Sequence, residues 1–415
     1  MKPSSLFRLL QTLLFAVCTA MPVAQAGMMD QFKDDDGWFD GSDWVLDNAI
    51  GFMPVPIIIT EPAVGEGLGI AAAFFHPPKG YSKEEYEALR AKRAAQAAGD
   101  ASEEPAQDAA VDSPQATAGD EDRGSFVLPD ITIVAAAATN NGSWLVGGGH
   151  IAHWRKDTIR YQGLVGYASL NLDYYLNIGE QSIPFEFNGE GFLSSQPLAF
   201  RIGKSDFFIG GNWDYSKITT KFDKNIPELE FLNFESTESA LGLFLQYDSR
   251  NTIFTPTKGT YAEISYQRNS EKIGSDWDYD RAEFFVHHYR LFAKKFGVGL
   301  RANLIDVNGD LPFYSVPFIS LRGIPALRYQ GESVGVVEAD LAWRFHPRWA
   351  ATGFVGVGKA DESFSDFSDS PSRVAKGVGF RYNTARKLGM WAGIDVAKGP
   401  EDTYWYITVG SPWRD

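Results

Sequence analysis

The chain has 415 residues, 44% of them hydrophobic and 22% charged, with 38 basic against 53 acidic side chains and a formal charge of −15. This balance excludes a helical membrane protein on bulk composition and argues against a nucleic-acid partner, because phosphate binding needs a basic surface. With 41 Gly, 11 Trp, 17 Tyr and 30 Phe but a single Cys, the composition favours a β-architecture held together without disulfides.

In chain order, Lys2 and Arg8 come before the apolar stretch Leu9 to Val23, and Ala24-Gln25-Ala26 follows it. A charged start, an apolar middle and a small-residue cleavage site predict a secretory signal peptide over 1–26. Cys18 falls inside it, and the bulky Val17 before it disfavours a lipoprotein. Residues 27–64, acidic over 30–47, are expected to be a short periplasmic segment. No window of ~18 apolar residues follows, since Phe126 to Thr139 is interrupted by Pro129 and Asp130. That leaves a periplasmic protein, a secreted protein or a closed barrel in an outer membrane. Residues 78–125, rich in Ala, Glu, Asp and Gln, cannot bury enough apolar surface to order themselves and are expected to be a low-complexity loop insertion.

Elsewhere the dominant period is two. Leu170, Leu172, Tyr174, Leu176 and Ile178 share one face while Asn171, Asp173 and Asn177 share the other. Val337, Ala339, Leu341, Trp343 and Phe345 alternate with Glu338, Asp340, Ala342 and Arg344. Such alternation gives each strand an apolar and a polar face. The predicted strands are 67–76, 131–138, 143–153, 157–167, 170–178, 185–202, 206–216, 236–248, 259–268, 278–292, 296–306, 332–345, 349–358, 374–383, 389–397 and 403–411. They number about sixteen, most near the ~9–11 residues of a tilted membrane strand. Connections after the second, fourth, sixth, tenth, twelfth and fourteenth are short, and those after the first, seventh, eleventh and thirteenth are long. The fold class expected is therefore all-β, a transmembrane antiparallel β-barrel with an apolar face to lipid and a polar lumen, 65–415, because lipid offers no partner for an open sheet edge. Period alone does not separate this from a soluble sandwich; the signal peptide, the loop asymmetry and aromatics near strand ends, such as Trp144, Trp154, Trp349 and Trp405, favour the barrel.

Three stretches carry a family resemblance. The turn signature from Tyr247 to Gly259, with Asp248, Arg250, Pro256 and Gly259, resembles that of the bacterial surface antigen family, the superfamily of the outer-membrane assembly factors BamA and TamA. Leu321-Arg322-Gly323-Ile324, followed by Arg328 to Gly331, resembles its lumenal loop motif, and 377–382, 389–397 and 404–413 resemble its closing strands. The likeness covers roughly 236–415. It implies an inward-folded outer loop between the eleventh and twelfth strands, with Arg322 paired to Asp340 and helped by Glu338. The family's second acid maps to Gly356. Only about forty residues separate the expected cleavage site from the first predicted strand, too few for the family's client-receiving POTRA modules. The function implied is a non-enzymatic role in membrane assembly, lipid handling or secretion, with a passive channel as the alternative and a hydrolase as the least favoured. Gly331 to Gly335 matches a nucleophile elbow around Ser333, but a strand rather than a helix follows. No cofactor and no metal site is expected. The partners expected are outer-membrane lipid and lipopolysaccharide in a bacterial outer membrane; protein clients and a homo-oligomer stay open.

Overall fold

The computed structural model of the protein describes residues 32, 34, 36–42, 51–76, 84, 130–155, 157–178, 181–222, 233–292, 295–386 and 389–413. The alternating segments pair into one sheet of sixteen antiparallel strands, each bonded to its neighbours in chain order. They are β1 (Gly51–Glu61), β2 (Gly65–His76), β3 (Asp130–Thr139), β4 (Trp144–Trp154), β5 (Ile159–Ile178), β6 (Gln181–Arg201), β7 (Phe207–Phe222), β8 (Glu235–Asp248), β9 (Gly259–Asn269), β10 (Asp278–Phe292), β11 (Phe296–Asp310), β12 (Ser333–His346), β13 (Trp349–Asp361), β14 (Arg373–Ala385), β15 (Met390–Lys398) and β16 (Thr403–Val409). The sheet curls until β16 lies beside β1. There the Ile407 amide donates to Thr60 Oγ1 (3.1 Å) and Trp405 Nε1 donates to Glu66 Oε1 of β2 (2.9 Å). No backbone ladder joins β1 to β16 among the described residues, so the barrel is nearly closed.

Sixteen strands were expected, but two differences from the expected set cancel in that number. Residues 51–61 form β1, so the barrel begins inside the 27–64 segment expected to be periplasmic. Pro54 and Pro56 hid this strand, because proline cannot donate to a ladder and reads as a strand breaker; β1 is an edge strand, where proline is tolerated. The predicted strands 157–167 and 170–178 are one 20-residue strand, β5. Counting from the true β1, the insertion between His76 and Asp130 leaves the barrel at the end that carries the short 293–295 and 347–348 turns, opposite the long 311–332 connection. The insertion 78–125, apart from Glu84, and the signal segment 1–26 lie outside the described residues.

The outer wall carries an apolar belt. Leu68 and Leu243 are 71% and 72% exposed, with Ile264, Val337, Val378 and Ile394 around the same wall. Exposure on this scale is the opposite of what a water-facing surface shows. Along β5 the belt ends partway. Val165 and Tyr167 face outward and are exposed, whereas further along Asn171 and Asp173 take the outward positions. Their neighbours Leu170 and Leu172 are buried inside, at 1% and 2% exposure. The expected orientation, apolar face to lipid and Asp173 to the lumen, is therefore reversed here. The 20-residue β5 is roughly twice the ~9–11 residues of a membrane-spanning strand, so part of it extends beyond the outer apolar belt.

At the opposite end, residues 32–42 are tied to the β12–β13 turn. Arg348 is fully buried and is held by Asp34 (2.8 Å), Asp36 (2.9 Å) and Asp40 (2.8 Å). The Tyr382 hydroxyl donates to the Phe39 carbonyl (2.5 Å), and Trp38 packs edge-on against Trp349.

Candidate functional site

The connection 311–332 is the longest among the fully described loops, and it packs against the inner faces of strands from both halves of the barrel. One flank is apolar. Phe313 meets the rings of Tyr174, Phe187 and Phe222 at 5.0, 5.1 and 5.5 Å between centroids. Tyr314, Ala326 and Leu327 join a buried cluster with Val55, Ile57, Leu170 and Leu172. The other flank is polar. Ser315 Oγ donates to both oxygens of Glu238 (3.0 and 2.9 Å), which also accepts from the Tyr279 hydroxyl (2.7 Å).

Arg322 is the centre of the polar flank. Its Nη2 lies 2.6 Å from Glu338 and 3.0 Å from Asp340, and its Nη1 lies 2.8 Å from Asp395. Its guanidinium stacks 3.5 Å from the centroid of the Phe354 ring. Burial by itself would lower the arginine's pKa; the carboxylates of Glu338, Asp395 and Asp340 outweigh it and hold the group above its ordinary value. Asp395 is fully buried, takes Arg381 Nη2 (2.7 Å) and the Thr408 hydroxyl (2.9 Å), and so ties the loop to β14, β15 and β16. Arg301 lies 3.5 Å from Glu338 and donates to the Ser320 carbonyl (3.1 Å). Three arginines thus face three carboxylates, and a cluster of this kind is costly to open because each removed partner strands a buried charge.

Of the motif residues, the structure brings Arg322, Asp340 and Glu338 together. The position of the missing second acid has a steric explanation: a Cβ on Gly356 would sit 2.5 Å from Leu321 Cδ2. Leu321 occupies the space, and the second carboxylate comes from Asp395 instead. Ile324 is buried beside Leu321 in the same cluster. Gly323 has φ 97°, its amide donates to the Tyr406 hydroxyl (2.8 Å), and a Cβ there would lie 2.9 Å from the Gly399 nitrogen. Beyond it, Arg328 Nε donates to Glu401 in the β15–β16 loop (2.9 Å), and the Tyr329 hydroxyl does the same (2.8 Å).

The turn signature lies at the other end of the barrel, joining β8 to β9. Arg250 Nε donates to Asp248 (2.9 Å) and stacks on Tyr261, while Arg160 reaches Asp248 across the lumen (3.1 Å). Gly259 has φ 105°, and a Cβ there would meet the Ser249 carbonyl at 2.2 Å. The turn that Pro256 belongs to also reaches the C-terminal strands: Thr255 Oγ1 accepts from the Trp391 amide (3.3 Å) and the Phe254 carbonyl from that of Ser411 (2.7 Å). This signature is a structural clasp and does not approach Arg322. Ser333 is buried at the start of β12, where its hydroxyl donates to Asp306.

Sequence reasoning missed Asp395, Tyr406 and Glu401. Asp395 did leave a signal: it stands between Ile394 and Val396, a lone acid on the polar face of an alternating strand. Nothing in the sequence says that this face meets Arg322.

Neither a family profile nor a curated protein sequence matches the chain. Among solved structures it resembles BamA from Haemophilus ducreyi lacking POTRA domains 1–3, with a TM-score of 0.52 at 12% identity over 87% of this chain and 70% of that one. It also resembles CdiB from Escherichia coli, with a TM-score of 0.54 at 10% identity over 86% of this chain and 62% of that one. CdiB from Acinetobacter baumannii gives 0.50 at 12% identity, over 86% and 58%. The chain therefore spans under two thirds of the length of either CdiB. At these identities the likeness establishes the fold, a sixteen-stranded barrel of the kind found in outer-membrane proteins.

Proposed function

We propose that this protein is a non-enzymatic outer-membrane barrel of the surface-antigen type, plugged by residues 311–332 and suited to membrane assembly, lipid handling or secretion rather than free diffusion. The 311–332 end faces outward, and the end that carries the short 293–295 and 347–348 turns, together with the insertion between His76 and Asp130, faces the periplasm. The observation that carries this assignment is the Arg322 cluster. Contacts of residues 311–332 with three carboxylates on one side and with an apolar cluster on the other support a plug rather than the open lumen that a passive channel needs. The β1–β16 junction supports it too, since among the described residues it lacks the ladder found between every other neighbouring pair. The immediate partners are outer-membrane lipid and lipopolysaccharide.

The test is conductance in planar bilayers together with membrane fractionation. Wild-type protein is expected in the outer-membrane fraction, heat-modifiable on gels and electrically silent, while Arg322→Ala conducts. Steady conductance of the wild type would favour a passive channel, and a soluble periplasmic product would remove the assignment altogether. A fluorophosphonate probe is expected to leave Ser333 unlabelled.

A further inference from the structure

Lys376 on β14 and Lys398 on β15 are direct cross-strand partners. Both are exposed. Both face outward: Gly377, next to Lys376, is turned to the Phe354 ring inside, and Ala397, next to Lys398, is fully buried. Like charges placed directly opposite one another destabilise a sheet, and a lysine on a lipid-facing wall carries its own cost. Glu401 and Asp402 follow Lys398 in the next turn, but Glu401 is engaged by Arg328 and Tyr329. The same row continues to Val355 on β13 and Thr403 on β16, and among the described residues no carboxylate ion-pairs with either lysine. In a chain with 53 acidic and 38 basic side chains, two cations paired on the outer wall with no ion-pair partner among the described residues favour an anion from outside the chain.

What lies beneath the lysines narrows the choice of anion. The next outward row is Val378, Val396 and Trp405, and the one below it holds Phe380 and Ile394, all exposed. Lys398 is the last residue of β15, at the 311–332 end of the barrel. A cationic pair at the rim above a greasy strip matches a molecule with a phosphate at headgroup height and acyl chains below it. We propose that Lys376 and Lys398 bind the phosphorylated glucosamine headgroup of lipopolysaccharide, with its acyl chains on Val378, Val396 and Trp405. This rests on the outer-membrane assignment above and adds a defined lipid site to it.

The test uses the full chain, folded in detergent with EDTA present so that acidic loops cannot bridge lipid through cations. Bound lipid is counted by native mass spectrometry with bis-phosphorylated lipid A, its dephosphorylated form and inorganic phosphate as separate ligands. The phosphorylated lipid is expected to bind at least about tenfold more tightly than the dephosphorylated one, and Lys376→Gln/Lys398→Gln is expected to lose that advantage. Lys376→Arg/Lys398→Arg is expected to restore it. Equal retention of lipid A by the Gln double variant overturns the site. Displacement of lipid A by inorganic phosphate alone overturns the lipid as its source, and an acidic protein co-purifying in a lysine-dependent way while lipid A fails to bind does so as well. Heat-modifiable migration of each variant shows that the barrel is intact; loss of that behaviour in the wild type instead strikes at the barrel assignment itself.

Discussion

The two halves of the barrel hold the same loop by different physics. From β1 to β7 the inner wall is apolar at the 311–332 end, and Phe313, Tyr314, Ala326 and Leu327 pack there against Leu170, Leu172, Phe187 and Phe222. From β8 to β15 ions join a smaller apolar cluster: Ile319, Leu321 and Ile324 pack against Ile305, Val334, Val336 and Ala375, while Arg322 and Ser315 are held by Glu338, Asp340, Asp395 and Glu238. Apolar packing is non-directional and tolerates small shifts of the loop, whereas an ion cluster fixes one position and one rotamer. The first half therefore anchors the loop, and the second sets its register.

Removing the ionic half has the largest expected effect. Arg322→Ala leaves three carboxylates with only Arg301 and Arg381 beside them and should destabilise the barrel by about 3–5 kcal/mol, read from the temperature at which folded migration on gels is lost. Asp395→Asn, which keeps the volume, should lose part of this and should also loosen β15–β16. On the apolar half, Leu172→Ala should cost about 2–5 kcal/mol without opening conductance, because the Arg322 cluster still sets the loop's register. Equal conductance from both substitutions would erase the distinction between the halves. Gly356→Asp, which supplies the acid that the family pattern has there, should destabilise rather than reinforce the cluster, since Leu321 fills that space.

The smallest effects concern pH. The hydrogen bond from Arg328 holds the Glu401 carboxyl below the usual range, against the opposing effect of burial. At Asp36, burial pushes the pKa up, but hydrogen bonds from Arg348 and the Trp38 amide outweigh it and the net shift is downward. A depressed carboxylate contributes stability that is complete above its unfolded pKa, about 4, and is lost as pH falls through the folded value. Acidification below about pH 4 should therefore free residues 32–42 and the Arg328 contact, seen as faster proteolysis there, before the buried Arg322 cluster yields. Loss of the folded barrel before either release would show that the ends are not the weaker contacts.

Much of the barrel was legible in the sequence because a period of two records the two faces of each strand. Eleven of the predicted strands, from 185–202 onward, keep their numbering in the structure. The exceptions have physical causes. Pro54 and Pro56 disguise β1. In β5 the outer face passes from apolar at Val165 and Tyr167 to polar at Asn171 and Asp173 within one strand, so the same alternation means opposite things at its two ends. The site was legible where a motif carried it, at Arg322 and Asp340, and not where pairing brought strands together, at Asp395 and Tyr406.

Local chemistry thus settled the strands, their antiparallel order and the arginine that needs carboxylates. Only the curled sheet decided which carboxylates those are, because β12 and β15 lie far apart in sequence and meet Arg322 through the curvature of the wall. It also decided which faces point outward and how apolar they are, since a side chain's surroundings depend on its height along the barrel as well as on its parity along the strand.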